Sequence, residues 1–190
     1  MILGITGTIG AGKSTVCNIL KEHNIPVVDA DKIGHKVLTY EKVKEKLFEN
    51  FGNVFDNEKN VDRKKLANMV FEDKSKLEIL NSIVHPIIRE EIKKETFELS
   101  KNHKIVACEI PLLYECGFED LVDKVLVVYL SEKETLKRLV KRGMTEKDAK
   151  NRIKNQMLFK EKLKKCDFSL LNEENFEKLA FKVALILKKC

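Results

Sequence analysis

Apolar residues open the chain in an unbroken run, Ile2-Leu3-Gly4-Ile5. After a glycine-rich stretch from Thr6 to Thr15, the apolar positions Val16, Ile19 and Leu20 recur at helical spacing. This pattern predicts strand, glycine loop, helix. A second strand is expected at Ile25-Pro26-Val27-Val28, ending in Asp29-Ala30-Asp31. A parallel strand delivers the side chains at its carboxyl end to the ligand crevice, so the two carboxylates stand where chemistry can use them. From about Lys32 to Ser100 the periodicity is helical, with breaks expected at Gly52, around Asn57 and at Pro86, and no strand of any length interrupts it.

Strand signals return at Lys104 to Ile110 and at Lys124 to Leu130, as unalternating apolar runs of the kind buried on both faces of a parallel sheet. Ser131 with Glu134 forms a capping-box pattern ahead of Leu136, Leu139 and Val140, and Gly143 stops that helix. Thr145, with Asp148 three positions on, opens a second basic helix whose apolar face carries Ile153 and Met157. Phe168-Ser169-Leu170-Leu171 reads as a fifth strand. Phe176, Leu179, Ala180, Val183, Ala184 and Leu187 form the stripe of a final amphipathic helix laid on the sheet. The expected organisation is an α/β core at about 1–31, 101–130 and 166–190, a helical insertion at about 32–100 and a helical lid at about 131–165.

Composition narrows this picture. At 190 residues, 43% hydrophobic and 35% charged, the chain can bury a core and is too apolar for disorder. It holds no apolar run long enough to span a bilayer, and Met1 leads into a strand without a basic leader, so a cytoplasmic protein without membrane attachment is expected. Five cysteines include no CxxC pair, which argues against a zinc site or a disulfide framework. Cys17 and Cys108 read as small buried thiols.

The charge is localised. Residues 131–165 carry 13 basic and five acidic side chains, net +8, while the remaining 155 residues carry 23 and 25, net −2. A solvated helical face has such a composition, and so does a mobile flap that closes over polyphosphate.

Gly7-x-x-x-x-Gly12-Lys13-Ser14 fits the P-loop pattern without mismatch, between a strand and a helix as the chemistry requires. Glycines let backbone N–H groups of Gly10, Ala11, Gly12, Lys13, Ser14 and Thr15 converge on phosphate oxygens, and the helix N-terminus adds partial positive charge. Lys13 would reach the β and γ phosphates, and the Ser14 hydroxyl would take Mg²⁺. Asp31 could accept a hydroxyl proton and aim that oxygen at the γ phosphate, which describes a small-molecule kinase; a helix N-cap is its plainer role. Glu109, at the end of the third strand, could support Mg²⁺ through water or be a structural acid. Arg138 and Arg142, four apart on one helix, can close together on phosphate, with Arg152 on the next helix. His85 precedes Pro86 and could cap a helix or contact substrate; His23, His35 and His103 suggest no role.

Taken together, these residues resemble the dephospho-CoA kinase family over nearly the whole chain. The resemblance rests on Gly7 to Thr15, Asp29-Ala30-Asp31 with Ile33, Leu80-Asn81, His85-Pro86, Pro111-Leu112-Leu113-Tyr114-Glu115, the series Arg138, Arg142, Arg152, Gln156, and Asp167 to Asn172. It implies a three-layer P-loop NTPase fold with a five-stranded parallel sheet, and transfer of the ATP γ phosphate to the ribose 3′-hydroxyl of dephospho-CoA with Asp31 as base. It also implies that Arg63, His85 and Pro111, Leu112 and Leu113 form the acceptor site and that Asn172 lies on the adenine side of ATP. ATP and Mg²⁺ are the expected cofactors, and a monomer or weak homo-oligomer that binds no nucleic acid is the expected form. The chain departs from the family pattern at Thr8, where a second glycine is common and a solvent-side position is expected, at Glu109 in place of aspartate, at Cys166 before Asp167, and at Glu173-Glu174. Another P-loop kinase with a different acceptor would keep the same loop and lid. A GTP-binding switch lacks support, since no Asn-Lys-x-Asp guanine-reading element is present, and a nucleic-acid binder would show strongly salt-dependent affinity.

Overall fold

A computed structural model of the chain describes residues 1–71 and 73–190. The elements run β1 (Ile2–Gly7), α1 (Lys13–Glu22), β2 (Val27–Asp29), α2 (Ala30–Val37), α3 (Glu41–Phe51), α4 (Arg63–Phe71), α5 (Lys74–Ser100), β3 (Val106–Glu109), β4 (Lys124–Tyr129), α6 (Glu132–Lys141), α7 (Glu146–Lys154), α8 (Phe159–Lys165), β5 (Phe168–Leu171) and α9 (Phe176–Leu187). They divide into two compact units, Met1–Asp29 with Glu95–Cys190, and Ala30–Lys94; the boundary on the carboxyl side falls inside α5. Among the described residues no helix is long and apolar enough to cross a membrane.

The first unit is a five-stranded parallel sheet in the order β2-β3-β1-β4-β5 with helices on it, a three-layer α/β fold. β1 is central because Leu3 and Ile5 can be fully buried there, next to Ala107 of β3 and Leu126 and Val128 of β4. Val16, Ile19 and Leu20 of α1 join Leu179 and Val183 of α9 in the same core. β2 starts at Val27, later than the apolar run suggests, because Pro26 has no amide to give the ladder; its carbonyl instead accepts from the Ala107 N–H at 2.9 Å. Phe176 does not share the buried stripe of α9. It is the helix's first residue, directly after the Asn175 cap, and is 54% exposed, so Leu179 and Val183 carry the burial.

The basic segment holds three helices where two are expected. α6 is capped by Ser131, whose hydroxyl accepts from the Glu134 N–H at 3.5 Å. The reciprocal bond of a capping box goes elsewhere, since the Ser131 N–H donates to Glu173 at 3.0 Å. Thr145 caps α7 through the Asp148 N–H at 3.1 Å. That helix ends at Lys154, so Met157 lies in the link to α8 and does not share a helical face with Ile153.

The second unit is helical. A break separates α2 from α3, another follows Gly52, and the loop beyond carries an isolated antiparallel bridge between Phe55 and Val61. Pro86 does not break its helix: α5 runs from Lys74 to Ser100 with the proline inside. An interior proline costs about 3 kcal/mol. Burial of Ile83, Val84 and Ile92 on either side of it offsets that cost, at about 1.5–3 kcal/mol for each fully buried apolar side chain.

Candidate active site

The glycine loop spans the link from β1 to α1 in the first unit. Gly7 pairs with Val128 at the end of the strand ladder, and a Cβ on Gly7 would run into the Val128 carbonyl, so only glycine lets the loop leave the sheet at this point. The Thr8 N–H then donates to the same carbonyl at 3.2 Å. Gly12, immediately before α1, has φ +90° and no room for a Cβ against the Asn172 amide. Lys13, Ser14 and Thr15 form the first turn of α1, where the Thr15 N–H donates to the Gly12 carbonyl at 3.1 Å and the positive end of the helix dipole attracts an anion. The Lys13 ammonium lies over the loop, 3.3 Å from the Gly7 carbonyl and 3.2 Å from that of Thr8. Ser14 is exposed.

Thr8 differs from its expected solvent-side placement. The residue is half-buried and its hydroxyl is buried without a hydrogen-bond partner. It lines a cleft of about 210 Å³ together with Ile9, Leu130 and, from the basic segment, Ile153, Gln156 and Met157. Gln156 crosses to the loop, its side-chain oxygen accepting from the Ile9 N–H at 2.9 Å.

Asn172, just past β5, is buried and ties the loop to α6. Its amide donates to the Ala11 carbonyl at 2.7 Å, and its own carbonyl accepts from the Arg138 guanidinium at 2.7 Å. Arg138 thus reaches the edge of the phosphate loop from α6. Arg142 is the exposed C-cap residue of α6, its N–H donating to the Arg138 carbonyl at 3.2 Å. Arg152 is likewise exposed, on α7.

The turn after β3 is anchored below the loop. Pro111 accepts at its carbonyl from the Thr6 hydroxyl at 3.0 Å, Leu113 is fully buried, and Leu112 is 41% exposed. Glu109 ends β3 and accepts a hydrogen bond from the Cys17 thiol on α1. Burial, reinforced by that carboxylate, holds the Cys17 thiol well above its ordinary range, and burial pushes Cys108 up to about 12. Both are inert thiols under physiological conditions.

In the second unit, Asp31 is exposed in the first turn of α2, two residues beyond the last residue of β2. It follows the helix start at Ala30 and so is not the N-cap. Arg63 begins α4 and lines a hollow of about 190 Å³ with His35, Lys44 and Asn60. His35 gave no sequence signal, and only the fold places it beside Arg63. His85 lies in mid-α5 and therefore caps nothing. Burial, and after it the charge of Arg89, lowers its pKa, which favours the neutral imidazole. Among the described residues no group of three or more His, Cys, Asp or Glu could hold a metal ion by itself.

The model of the dephospho-CoA kinase family (CoaE) matches residues 1–178. A dephospho-CoA kinase of Oceanobacillus iheyensis is 39% identical over 193 residues, covering 100% of this chain and 97% of the relative. The structure of a dephospho-CoA kinase from Campylobacter jejuni superposes with a TM-score of 0.76 at 33% identity, over 99% of this chain and 96% of that one. A shikimate kinase from Aquifex aeolicus, at 16% identity and a TM-score of 0.54 over 99% of this chain and 96% of that one, shares the fold alone. Full-length similarity at this identity shows that the chain belongs to the dephospho-CoA kinase family, a family of ATP-dependent phosphotransferases.

Proposed function

We propose that the chain transfers the γ-phosphoryl group of ATP to the ribose 3′-hydroxyl of dephospho-CoA, giving CoA and ADP, the last step of coenzyme A synthesis. The observation that carries this reading is the loop itself. Its path from Gly7 to Gly12 is closed to side chains at both ends, the Lys13 ammonium lies against its Gly7 and Thr8 carbonyls, and α1 begins directly after it. That arrangement suits a polyphosphate and little else.

In this reading the amides of Gly10 to Thr15 hold the β and γ phosphates and Lys13 moves off the Gly7 and Thr8 carbonyls to pair with them. The donor set fits a cation that arrives with the nucleotide: Ser14 offers one exposed hydroxyl at the helix start, and Mg²⁺ ordinarily takes only one or two protein ligands beside phosphate oxygens. Mg²⁺ bound there would neutralise phosphate charge. Asp31 accepts the proton of the 3′-hydroxyl as that oxygen forms its bond to the γ phosphorus; the bond from phosphorus to the β-phosphate oxygen breaks, and ADP leaves. Arg138 and Arg142 balance the charge that develops on the transferred group, and Asn172 holds the loop in shape beside the nucleotide. Arg63, His85 and the turn Pro111-Leu112-Leu113 receive the acceptor. Free soluble substrates suit a cytoplasmic enzyme working as a monomer or weak homo-oligomer.

An acceptor panel tests this. With Mg·ATP, dephospho-CoA should give saturable product formation where nucleoside monophosphates and shikimate give none. Preference for either of those acceptors would overturn the substrate assignment.

A further inference from the structure

A lysine with no exposed side-chain surface is unusual, because desolvating an ammonium costs several kcal/mol unless a partner compensates it. Lys162 on α8 is such a residue: its side chain is 0% exposed. Its ammonium lies 2.8 Å from one carboxylate oxygen of Glu115 and 3.1 Å from the other, and it donates to the Pro111 carbonyl at 3.4 Å. That carbonyl also accepts from Thr6, which is buried in β1 one residue before the glycine loop begins. Glu115 in turn accepts from the Met157 N–H at 3.0 Å, in the link between α7 and α8. The residue before it, Gln156, is the one that grips the Ile9 amide of the loop.

One continuous chain of polar contacts therefore joins the lid link, the Pro111 turn and the phosphate-loop strand. We propose that Lys162 and Glu115 are a positioning pair for phosphoryl transfer, fixing the Pro111–Leu113 turn relative to the lid link and to β1; this rests on the acceptor role proposed above for that turn. An isolated structural ion pair has an apolar substitute that leaves a fold as stable or more so. An apolar pair, however, provides neither the donor to the Pro111 carbonyl nor the acceptor for the Met157 amide. Removing the pair leaves the Pro111 carbonyl with the Thr6 hydroxyl but without the ammonium, and removes the acceptor of the Met157 amide in the lid link. Acceptor binding and transfer should suffer, while the loop that holds ATP, built from Gly7 to Thr15, Asn172 and Arg138, keeps its own contacts.

The test is the double variant Lys162→Met/Glu115→Leu, with Glu115→Gln beside it as the change that keeps an acceptor for Met157 but takes the counter-charge from the buried ammonium. Thermal unfolding and steady-state kinetics against each substrate are measured. The double variant is expected to melt near the wild type, to keep its KM for ATP within about twofold, and to raise its KM for dephospho-CoA about tenfold; Glu115→Gln should raise the latter about threefold. Unchanged acceptor KM in either folded variant, or ATP and acceptor KM rising together, would overturn the positioning role. Wild-type protein with no transfer to dephospho-CoA would instead overturn the acceptor reading beneath it.

Discussion

The Asn172 side chain donates to the Ala11 carbonyl at 2.7 Å while the Asn172 backbone carbonyl receives Arg138 at the same distance, so one buried residue links the glycine loop to α6. Asn172→Ala leaves the buried Ala11 carbonyl without that donor, at a cost of about 1–3 kcal/mol of stability. It also loosens the loop where Gly12 abuts the amide. ATP affinity measured by calorimetry should fall about tenfold or more, with a modest loss in melting temperature. An unchanged affinity would mean the contact only fills space.

Lys13 and Asp31 should separate kinetically. Lys13→Ala is expected to abolish transfer while leaving the fold intact, because the path of the loop is set by Gly7, Gly12 and the Asn172 side chain. Asp31→Asn should lower kcat far more than it weakens ATP binding, since the base role proposed for it acts mainly in the transition state. Near-normal turnover in the first variant, or weakened ATP binding alone in the second, would contradict these roles.

The five thiols should react in the order of their exposure, with Cys116 and Cys166 between the extremes. Cys17 and Cys108 are buried and held in the protonated form, whereas Cys190 is exposed. Under native conditions a maleimide should label Cys190 first and leave Cys17 and Cys108 unmodified until the protein is unfolded. Mass spectrometry of peptides from a short labelling pulse checks this order.

His85 gives an acid-side signature. Its folded pKa lies below the ordinary histidine value of about 6.5, mainly through burial, so the unfolded chain binds the proton more readily. Its contribution is fully present above that ordinary value and is lost as pH falls through the folded one. Stability should therefore decline below about pH 6.5, and His85→Gln should flatten that part of the profile. Denaturant melts at successive pH values would show it, and an identical slope in the variant would contradict it.

How much of this was legible in the chain depended on distance along it. The glycine loop, the Ser131 and Thr145 caps and the strand Phe168–Leu171 are local patterns, each written within a dozen residues, and each forms where its residues stand. Pro86 misleads because a local cost is outweighed by burial elsewhere on the same helix. The spacing of Arg138 and Arg142 reaches to the helix end, where Arg142 is the cap residue. Lys162 is invisible in sequence, one lysine in a basic run. Its significance comes from Pro111 and Glu115, 51 and 47 positions away, and from Thr6, 105 positions from Pro111. Such contacts are made by the sheet's crossovers, and no short window contains them.

The central claim is tested most directly by incubating the purified protein with Mg·ATP and dephospho-CoA and following products by mass spectrometry, with the phosphate position read by NMR. The expected result is stoichiometric ADP and a product one phosphoryl group heavier, carrying that group on the ribose 3′-oxygen. ATP consumed without any mass gain on dephospho-CoA, or a phosphate placed on another hydroxyl, would contradict it.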